Sequence, residues 1–218
     1  MYHYIFFDLD GTLTDSKEGI LNSLRYAFDK MGRPAPAEAT LLNFIGPPLQ
    51  DSFVRFCGFS PAEAAEGIRL FRERYVPIGK FENQPAPGMA ELCGRLRDRG
   101  YVLALSSSKP EELCVPICDK FGFAPAMETI VGSPPVADWE KADVIRETMR
   151  RLDLTDADKP AILMVGDRKF DVLGARNCGI DCVGVEFFGY AAPGELAEAG
   201  AVAVVRTAGE LEEFILNH

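Results

Sequence analysis

The chain has 218 residues, of which 47% are hydrophobic, and its formal net charge is −10. This length and apolar content suit one packed domain or a core with an inserted subdomain, whereas the acidic balance without any basic run argues against a nucleic-acid-binding surface. No apolar stretch approaches the roughly 18 residues of a membrane span, and no basic segment precedes the first apolar residues as in a secretory signal.

The first predicted element is a buried strand, Tyr4–Phe7, which runs directly into Asp8 and Asp10. Residues i and i+2 of an extended backbone project to the same side, so the two carboxylates would share a small volume. They repel each other unless a cation or a shared proton offsets the repulsion. The ordinary alternative is a polar strand end that leads into a loop.

Residues 15 to about 84 predict helices and no strand. The segment begins with the helix-capping pattern Asp15-Ser16-Lys17-Glu18 and continues with apolar residues at helical spacing until Gly32. The sequence Pro85-Ala86-Pro87-Gly88 closes it. Three shorter helical patterns lie within it, at Ala37–Phe44, Gln50–Cys57 and Pro61–Tyr75.

From Met89 onwards the pattern alternates between helices and short apolar strands. Near-continuous apolar strands that alternate with helices indicate a parallel sheet covered on both faces. The fold class is therefore α/β, with a core of residues 1–14 and 86–218 and an all-helical insertion of residues 15–85. The predicted strands are Tyr101–Leu105, Thr129–Val131, Ala161–Val165, Cys182–Val185 and Val202–Val205, and the predicted helices are Met89–Arg99, Glu111–Phe121, Lys141–Leu152, Phe170–Cys178 and Glu210–Leu216.

The six cysteines lie inside apolar patterns and none of them forms a Cys-x-x-Cys pair. A free thiol in such a pattern behaves as a small hydrophobic side chain. A zinc site at Cys114 and Cys118 is disfavoured because no histidine lies near them in the sequence. We therefore expect reduced thiols and a cytoplasmic protein.

Three predicted strands end in polar residues. The first stops at Asp8, the second at Ser106-Ser107-Ser108-Lys109, and the third at Gly166-Asp167. Because ligands of open parallel sheets bind outside the carboxyl ends of the strands, we expect the three polar clusters to lie along one edge. The paired aspartates would then belong to a shared site that holds a cation.

Carboxylate oxygens suit Mg²⁺, which takes one or two protein carboxylates together with water and substrate phosphate. We predict Asp8 and Asp167 as direct ligands, with Asp171 one helical turn further along. Asp10 is included in the predicted metal-binding set. The alternative for Asp171 is a first-turn helix carboxylate that the helix dipole favours.

With a metal in place, Asp8 can attack a phosphoryl group, and Asp10 can protonate the leaving oxygen and later deprotonate water. Ser107 offers a hydroxyl group to a phosphate oxygen, and Ser108 offers a neighbouring contact. A cation near the phosphorylated aspartate would stabilise its charge. Lys141 is predicted for that role, and Lys109 competes for it because it is closer in sequence to Ser107.

The string Phe7-Asp8-Leu9-Asp10-Gly11-Thr12-Leu13 resembles the first motif of the haloacid dehalogenase superfamily of phosphatases. Ser107 and Lys141 are similar to its second and third motifs, and Gly166-Asp167-Arg168-Lys169-Phe170-Asp171 resembles its fourth. The resemblance implies a Rossmann-like three-layer core, Mg²⁺ dependence and a phosphoaspartate intermediate.

The insertion resembles the helical cap of the phosphoglycolate phosphatase-like branch, in which Gly46, Pro47 and Pro48 would face the substrate. In one departure from the branch, Lys141 is followed by Ala142 where many relatives have proline. Some members of this kind resemble nucleotidases. The implied substrate is therefore a small phosphorylated metabolite, either phosphoglycolate-like or a nucleoside monophosphate. The protein is expected to be a monomer or a homodimer.

Two alternatives use similar chemistry. A sugar phosphomutase of the beta-phosphoglucomutase type has the same core residues, and it needs cationic groups from the cap that the sequence does not place. A signalling receiver domain also surrounds a phosphorylated aspartate with acidic residues and Mg²⁺. It is disfavoured here because Asp8 lies in the first strand and a large insertion follows.

Overall fold

The computed structural model describes residues 1–134 and 139–218. They form two compact units: Met1–Thr14 with Pro85–His218, called the core unit, and Asp15–Gln84, called the helical unit. In chain order the strands are β1 (Tyr4–Phe7), β2 (Thr14–Asp15), β3 (Gln84–Pro85), β4 (Val102–Pro110), β5 (Thr129–Ser133), β6 (Ile162–Gly166), β7 (Asp181–Val185) and β8 (Ala203–Val205).

Most α-helices of both units follow the predicted patterns closely. None of those within the described residues is long and apolar enough to cross a membrane. The helical unit contains α1 (Lys17–Lys30), α2 (Glu38–Leu41), α3 (Leu49–Cys57) and α4 (Pro61–Tyr75), and the core unit contains α5 (Met89–Asp98), α6 (Glu111–Phe121), α7 (Lys141–Arg151), α8 (Lys169–Cys178), α9 (Glu195–Ala199) and α10 (Ala208–Asn217).

The core unit is built on a six-stranded sheet in the order β5-β4-β1-β6-β7-β8, and every adjacent pair is parallel. Successive residues of β1 point to opposite faces. Ile5 and Phe7 pack on the side of α5, α6 and α10, whereas Phe6 packs on the side of α7, α8 and α9. All three side chains are buried. The predicted parallel α/β fold with helices on both faces is thereby confirmed.

The helical unit has an aromatic core of its own. The centroid of the Phe53 ring lies 5.5 Å from that of Phe59 in a stacked pair and 5.2 Å from that of Phe44 in an edge contact. A Cβ atom at Gly67 of α4 would lie 3.0 Å from the Phe53 ring, so the glycine lets α4 approach that ring. The helix predicted over Ala37–Phe44 is instead α2 followed by a 3-10 turn, Leu42–Phe44.

Two short strands and one short α-helix are absent from the sequence prediction. Strands β2 and β3 pair with each other where the chain leaves and re-enters the core unit. Each has two residues, which is too short for an alternating pattern. Helix α9 has five residues between Gly194 and Gly200, both with positive φ. It is too short to show the helical spacing of apolar residues.

All six cysteines are free thiols. Five of them are buried, and Cys57 of α3 is half-buried. Their positions agree with the expectation of reduced thiols that pack as small apolar side chains.

Candidate active site

The first strand delivers Asp8 to the centre of the sheet's carboxyl edge. Strand β1 pairs with β4 on one side and with β6 on the other, so the chain order reverses around it. The Asp8 amide donates a hydrogen bond of 2.9 Å to Val165 O, which extends the pairing with β6 by one residue. Ligands of open α/β sheets bind at such a switch point.

A tight loop after Asp8 turns the chain back. The carbonyl of Leu9 accepts hydrogen bonds from the amides of Thr12, Leu13 and Thr14, and the Gly11 amide donates to Thr14 O at 2.7 Å. Gly11 has φ +90°, a backbone conformation that L side chains rarely adopt. This loop keeps the carboxylates of Asp8 and Asp10 close to the sheet edge.

Three carboxylates converge beyond this edge. One oxygen each of Asp8, Asp167 and Asp171 lies within 4.8 Å of the others, and all three residues are buried. Lys141 joins two of them, with Nζ at 2.6 Å from Asp8 Oδ1 and 2.7 Å from Asp171 Oδ1. The structure therefore brings together four of the predicted site residues, from α7, α8 and the turns that follow β1 and β6.

Lys141 reaches the cluster because the start of α7 is fixed. Glu140 and Asp143 form a reciprocal capping box around that start. Helix α8 approaches closely, since a Cβ atom at Gly174 would lie 2.7 Å from Lys141 Cβ. A lysine in the first turn opposes the helix dipole, so its favourable interactions come from the carboxylates rather than from the helix.

Burial and charge together shape the cluster's electrostatics. Burial raises the pKa of Asp8 to about 6; the ammonium of Lys141 opposes the rise and Asp171 adds to it. Burial also raises the pKa of Asp167 well above its ordinary value, as do the charges of Asp171 and Asp8. For Lys141, burial acts to lower the pKa, but the charges of Asp171 and Asp8 outweigh it and raise the pKa. When ionised, the three carboxylates therefore carry more negative charge than the single ammonium of Lys141 neutralises.

The donor set fits a hard divalent cation. Asp167 Oδ2 is buried and accepts no hydrogen bond from the described residues, so an oxygen ligand is available in the cluster. Asp171 differs, because its Oδ1 binds Lys141 and its Oδ2 accepts a hydrogen bond of 3.0 Å from the Arg168 amide. Asp8 and Asp167 could hold Mg²⁺ directly, while Asp171 both caps α8 and positions Lys141.

The other predicted polar residues lie around this cluster. Ser107 is buried near the end of β4, and its Oγ accepts a hydrogen bond of 3.3 Å from the Lys109 amide. Ser108 is half-buried, and its carbonyl accepts a hydrogen bond from Ser133 Oγ at 2.8 Å. Asp10 lies outside the group of three, because its Oδ2 binds Lys109 Nζ at 2.6 Å. Thus each competing lysine has a separate carboxylate partner.

The loop of Gly46, Pro47 and Pro48 belongs to the helical unit. Gly46 is exposed with φ +102°, and Pro48 is the N-cap residue of α3. The predicted substrate contacts of these three residues therefore stay a prediction.

Two supporting contacts were not predicted from the sequence. Thr12 Oγ1 lies 3.5 Å from Asp167 Oδ1, and both residues are buried. Arg168 Nε binds Glu195 at 3.0 Å, which ties the residue after Asp167 to the start of α9. The contact of Thr12 with Asp167 could have been anticipated, because Thr12 is part of the first motif. No local sequence pattern indicates that Arg168 pairs with Glu195.

Substituting Gly11 by Ala is expected to disable the site. The new Cβ atom would lie 2.1 Å from Asp167 Oδ2 and would also strain a backbone at φ +90°. We expect the free energy of unfolding to fall by about 1–3 kcal/mol and catalytic activity to fall by about 100-fold, because Asp167 must move.

The matched control is Gly100→Ala, with φ +91° and no atom within 4 Å of its Cβ position. Chemical denaturation and steady-state kinetics of both variants separate the effect of backbone strain at positive φ from that of the steric clash with Asp167. Similar activity in the two variants would show that the contact with Asp167 is unimportant.

The chain is similar to a known family, to known proteins and to solved structures over most of its length. The model of the family described as haloacid dehalogenase-like hydrolase matches residues 5–185. A 5'-nucleotidase of Pseudomonas aeruginosa is 38% identical over 196 residues, which cover 89% of this chain and 87% of that protein. A phosphoglycolate phosphatase of Cupriavidus necator is 32% identical over 206 residues, which cover 92% and 87% respectively.

The crystal structure of a predicted phosphatase from Clostridium acetobutylicum has a TM-score of 0.92 and 36% identity, and each chain covers 100% of the other. Another similar protein, the tyrosine-protein kinase PtkA of Mycobacterium tuberculosis, is 34% identical over 214 residues, which cover 96% of this chain and 70% of that protein. The resemblance seen in the sequence motifs is confirmed by these matches. The chain belongs to the haloacid dehalogenase-like hydrolase family and is a phosphatase of that family.

Proposed function

We propose that this phosphatase hydrolyses phosphomonoesters in a Mg²⁺-dependent reaction that passes through a phosphorylated Asp8. The observation that carries the proposal is the position of Asp8 at the switch point of the sheet, with Lys141 at 2.6 Å and Asp167 in the same carboxylate cluster. Asp10, two residues later, has its carboxylate outside that cluster and can serve a different step.

Asp8 and Asp167 would hold the metal ion. When bound, the ion offsets the repulsion between a carboxylate and phosphate oxygens and stabilises charge in the transition state. An oxygen of Asp8 attacks phosphorus, and the bond from phosphorus to the leaving oxygen breaks. The ammonium of Lys141 orients Asp8 and lies close enough to stabilise the phosphoryl charge, and the Ser107 hydroxyl donates to a phosphate oxygen.

Asp10 would handle the protons of both half-reactions. It gives a proton to the leaving oxygen as phosphorus bonds to Asp8. It then takes a proton from the water molecule that attacks the phosphoaspartate, and the bond between Asp8 and phosphorus breaks. The products are an alcohol and inorganic phosphate, and both aspartates return to their starting states.

The substrate is proposed to be a small phosphorylated metabolite, with nucleoside monophosphates and phosphoglycolate-like compounds as the classes to screen first. The similarity to a 5'-nucleotidase and a phosphoglycolate phosphatase supports both classes. The Ala142 that follows Lys141, where many relatives have proline, favours the nucleotide class.

Removal of the metal tests the proposal directly. We expect EDTA to reduce hydrolysis of a phosphomonoester to background and Mg²⁺ to restore it. Mg²⁺ at about 100 times its Kd should stabilise the folded chain by about 2.7 kcal/mol and raise Tm by roughly 5–11 °C. Asp167→Asn should abolish that thermal shift.

Asp156→Asn is the matched control. It removes the same charge as Asp167→Asn, but from a side chain that is 92% exposed. It should keep the full thermal shift. Hydrolysis that persists in EDTA would reject the metal requirement. Turnover that needs a sugar bisphosphate and releases no phosphate would indicate a phosphomutase instead.

Asp10→Asn should slow hydrolysis according to the leaving group. An alkyl phosphate releases a poor leaving group that needs a proton, so kcat should fall by about 10²–10⁴-fold. An aryl phosphate releases a stable phenolate, so phosphorylation of Asp8 should fall far less. Rapid-mixing measurements of the first turnover with both substrates check this. Equal slowing of the two would reject the proton-donor role of Asp10.

A further inference from the structure

A second buried ion pair lies beside the carboxylate cluster. Lys109 Nζ binds Asp10 Oδ2 at 2.6 Å, and the two side chains are only 7% and 13% exposed. Exposed ion pairs of this protein, such as Arg97 with Asp98, have no such protection from solvent. A buried charge-assisted bond fixes the orientation of both groups much more firmly than an exposed one does.

The two oxygens of Asp10 are in different situations. Oδ2 is bound by Lys109, whereas Oδ1 is buried and has no hydrogen-bond partner within the described part of the chain. A buried carboxylate oxygen without a partner carries a free-energy cost. A substrate or water molecule that hydrogen-bonds to Oδ1 would remove this cost. Oδ1 is therefore the oxygen of Asp10 that is left for a substrate or water molecule, because no described residue binds it.

The backbone of Lys109 is held from several directions. Its amide donates to Ser107 Oγ at 3.3 Å, and its carbonyl accepts a hydrogen bond from Cys114 Sγ at 3.5 Å. A Cβ atom at Gly132 of β5 would lie 2.5 Å from the Lys109 carbonyl oxygen, so the neighbouring strand also packs closely. The β4–β5 pairing is irregular between Ser107 and Pro110, which includes Lys109. These contacts fix the point from which the side chain extends to Asp10.

We propose that Lys109 is a positioning residue that acts through Asp10. It binds Oδ2, which leaves Oδ1 as the oxygen that exchanges a proton with the leaving group and later with water. This inference rests on the proposed function, in which Asp10 is the proton donor and acceptor. As the proton leaves Oδ1, the negative charge of the resulting carboxylate is shared with Oδ2 and is stabilised by the ammonium.

Lys109 and Lys141 thus have different tasks. Lys141 serves the aspartate that bonds to phosphorus, and Lys109 serves the aspartate that moves the proton. Loss of Lys109 should therefore reproduce the leaving-group dependence of losing Asp10. It should leave phosphorylation of Asp8 by an aryl phosphate nearly intact.

The test combines Lys109→Met, Lys109→Arg and Asp10→Asn with their double variants. Lys109→Met should lower kcat for an alkyl phosphate by about 30–100-fold while the phosphoenzyme burst with an aryl phosphate changes by less than about threefold. Lys109→Arg, which keeps the charge, should recover part of the loss. Adding Lys109→Met to Asp10→Asn should cause no further loss, because residues that act as one unit are not additive.

Lys159→Met is the control, since Lys159 pairs with the exposed Asp156. The inference is overturned if Lys109→Met slows alkyl and aryl phosphates equally, or if its effect multiplies with that of Asp10→Asn. If Lys109→Met does not fold, Lys109→Arg and its double variant give the same two readouts. A wild-type protein that forms no phosphoenzyme would instead reject the proposed function.

Discussion

Replacing Asp8 by Asn is expected to abolish turnover and leave the fold intact. The amide has nearly the same shape as the carboxylate, and β1 is held by buried apolar residues rather than by this side chain. An amide is a poor nucleophile, and loss of the nucleophile lowers kcat by about 10⁴–10⁶-fold in enzymes that use covalent catalysis. The substitution also removes one negative charge from a cluster with excess carboxylate, so Tm should not fall greatly.

The measurement pairs steady-state kinetics with chemical trapping. Wild-type protein mixed with labelled phosphomonoester and acid-quenched should carry an acyl phosphate that hydroxylamine cleaves, and Asp8→Asn should carry none. Asp156→Asn, at an exposed carboxylate, should behave as the wild type. Retained turnover in Asp8→Asn would remove Asp8 as the nucleophile and would require another route to hydrolysis.

Replacing Lys141 by Met is expected to damage both stability and catalysis. The ammonium binds Asp8 at 2.6 Å and Asp171 at 2.7 Å in a buried setting, so its loss leaves these carboxylates without that partner. Removing one member of a buried ion pair costs about 3–5 kcal/mol. For a chain of this length that loss lowers Tm by roughly 6–20 °C. Loss of a donor near the phosphoryl oxygens should lower kcat by about 10²–10³-fold.

Differential scanning calorimetry and kinetics on Lys141→Met and Lys159→Met check this expectation. Lys159 pairs with a 92% exposed Asp156, so its substitution should change Tm by only a degree or two. Mg²⁺ should recover more Tm in Lys141→Met than in the wild type, because the added cation replaces part of the missing charge. A Lys141→Met protein with wild-type Tm and activity would contradict the role assigned to the ammonium.

The sequence predicted much of the core because its signals are local. Helices α4 and α6 have the predicted bounds, since each has a clear apolar period with a start signal or a terminal glycine. Strand β4 extends five residues beyond the predicted end at Leu105, to Pro110. Its polar residues hid that extension, because they break the apolar pattern while the backbone continues to pair with β5.

The candidate site was predictable only in part. In a parallel sheet the carboxyl ends of β1, β4 and β6 lie at one edge, where ligands bind. The proximity of Asp8 and Asp167 could therefore be predicted. The same rule for parallel sheets does not reach Lys141, which was predicted with Lys109 as a competitor. Lys141 and Asp8 are 133 positions apart, and the close approach of α8 to Lys141 at Gly174 is not visible in the sequence. Lys109 and Asp10 are likewise far apart in the sequence, by 99 positions, and Lys109 lies where the register of the β4–β5 pairing shifts.

The distribution of thiols has a practical consequence for spectroscopy. Burial raises the pKa of all six cysteines, but five of them are enclosed, whereas Cys57 at the end of α3 is partly accessible to reagents. A maleimide fluorophore should therefore attach to the native chain at Cys57 first, with no need to remove other cysteines. Such a probe would sit on the helical unit, so its emission would report on that unit rather than on the core unit.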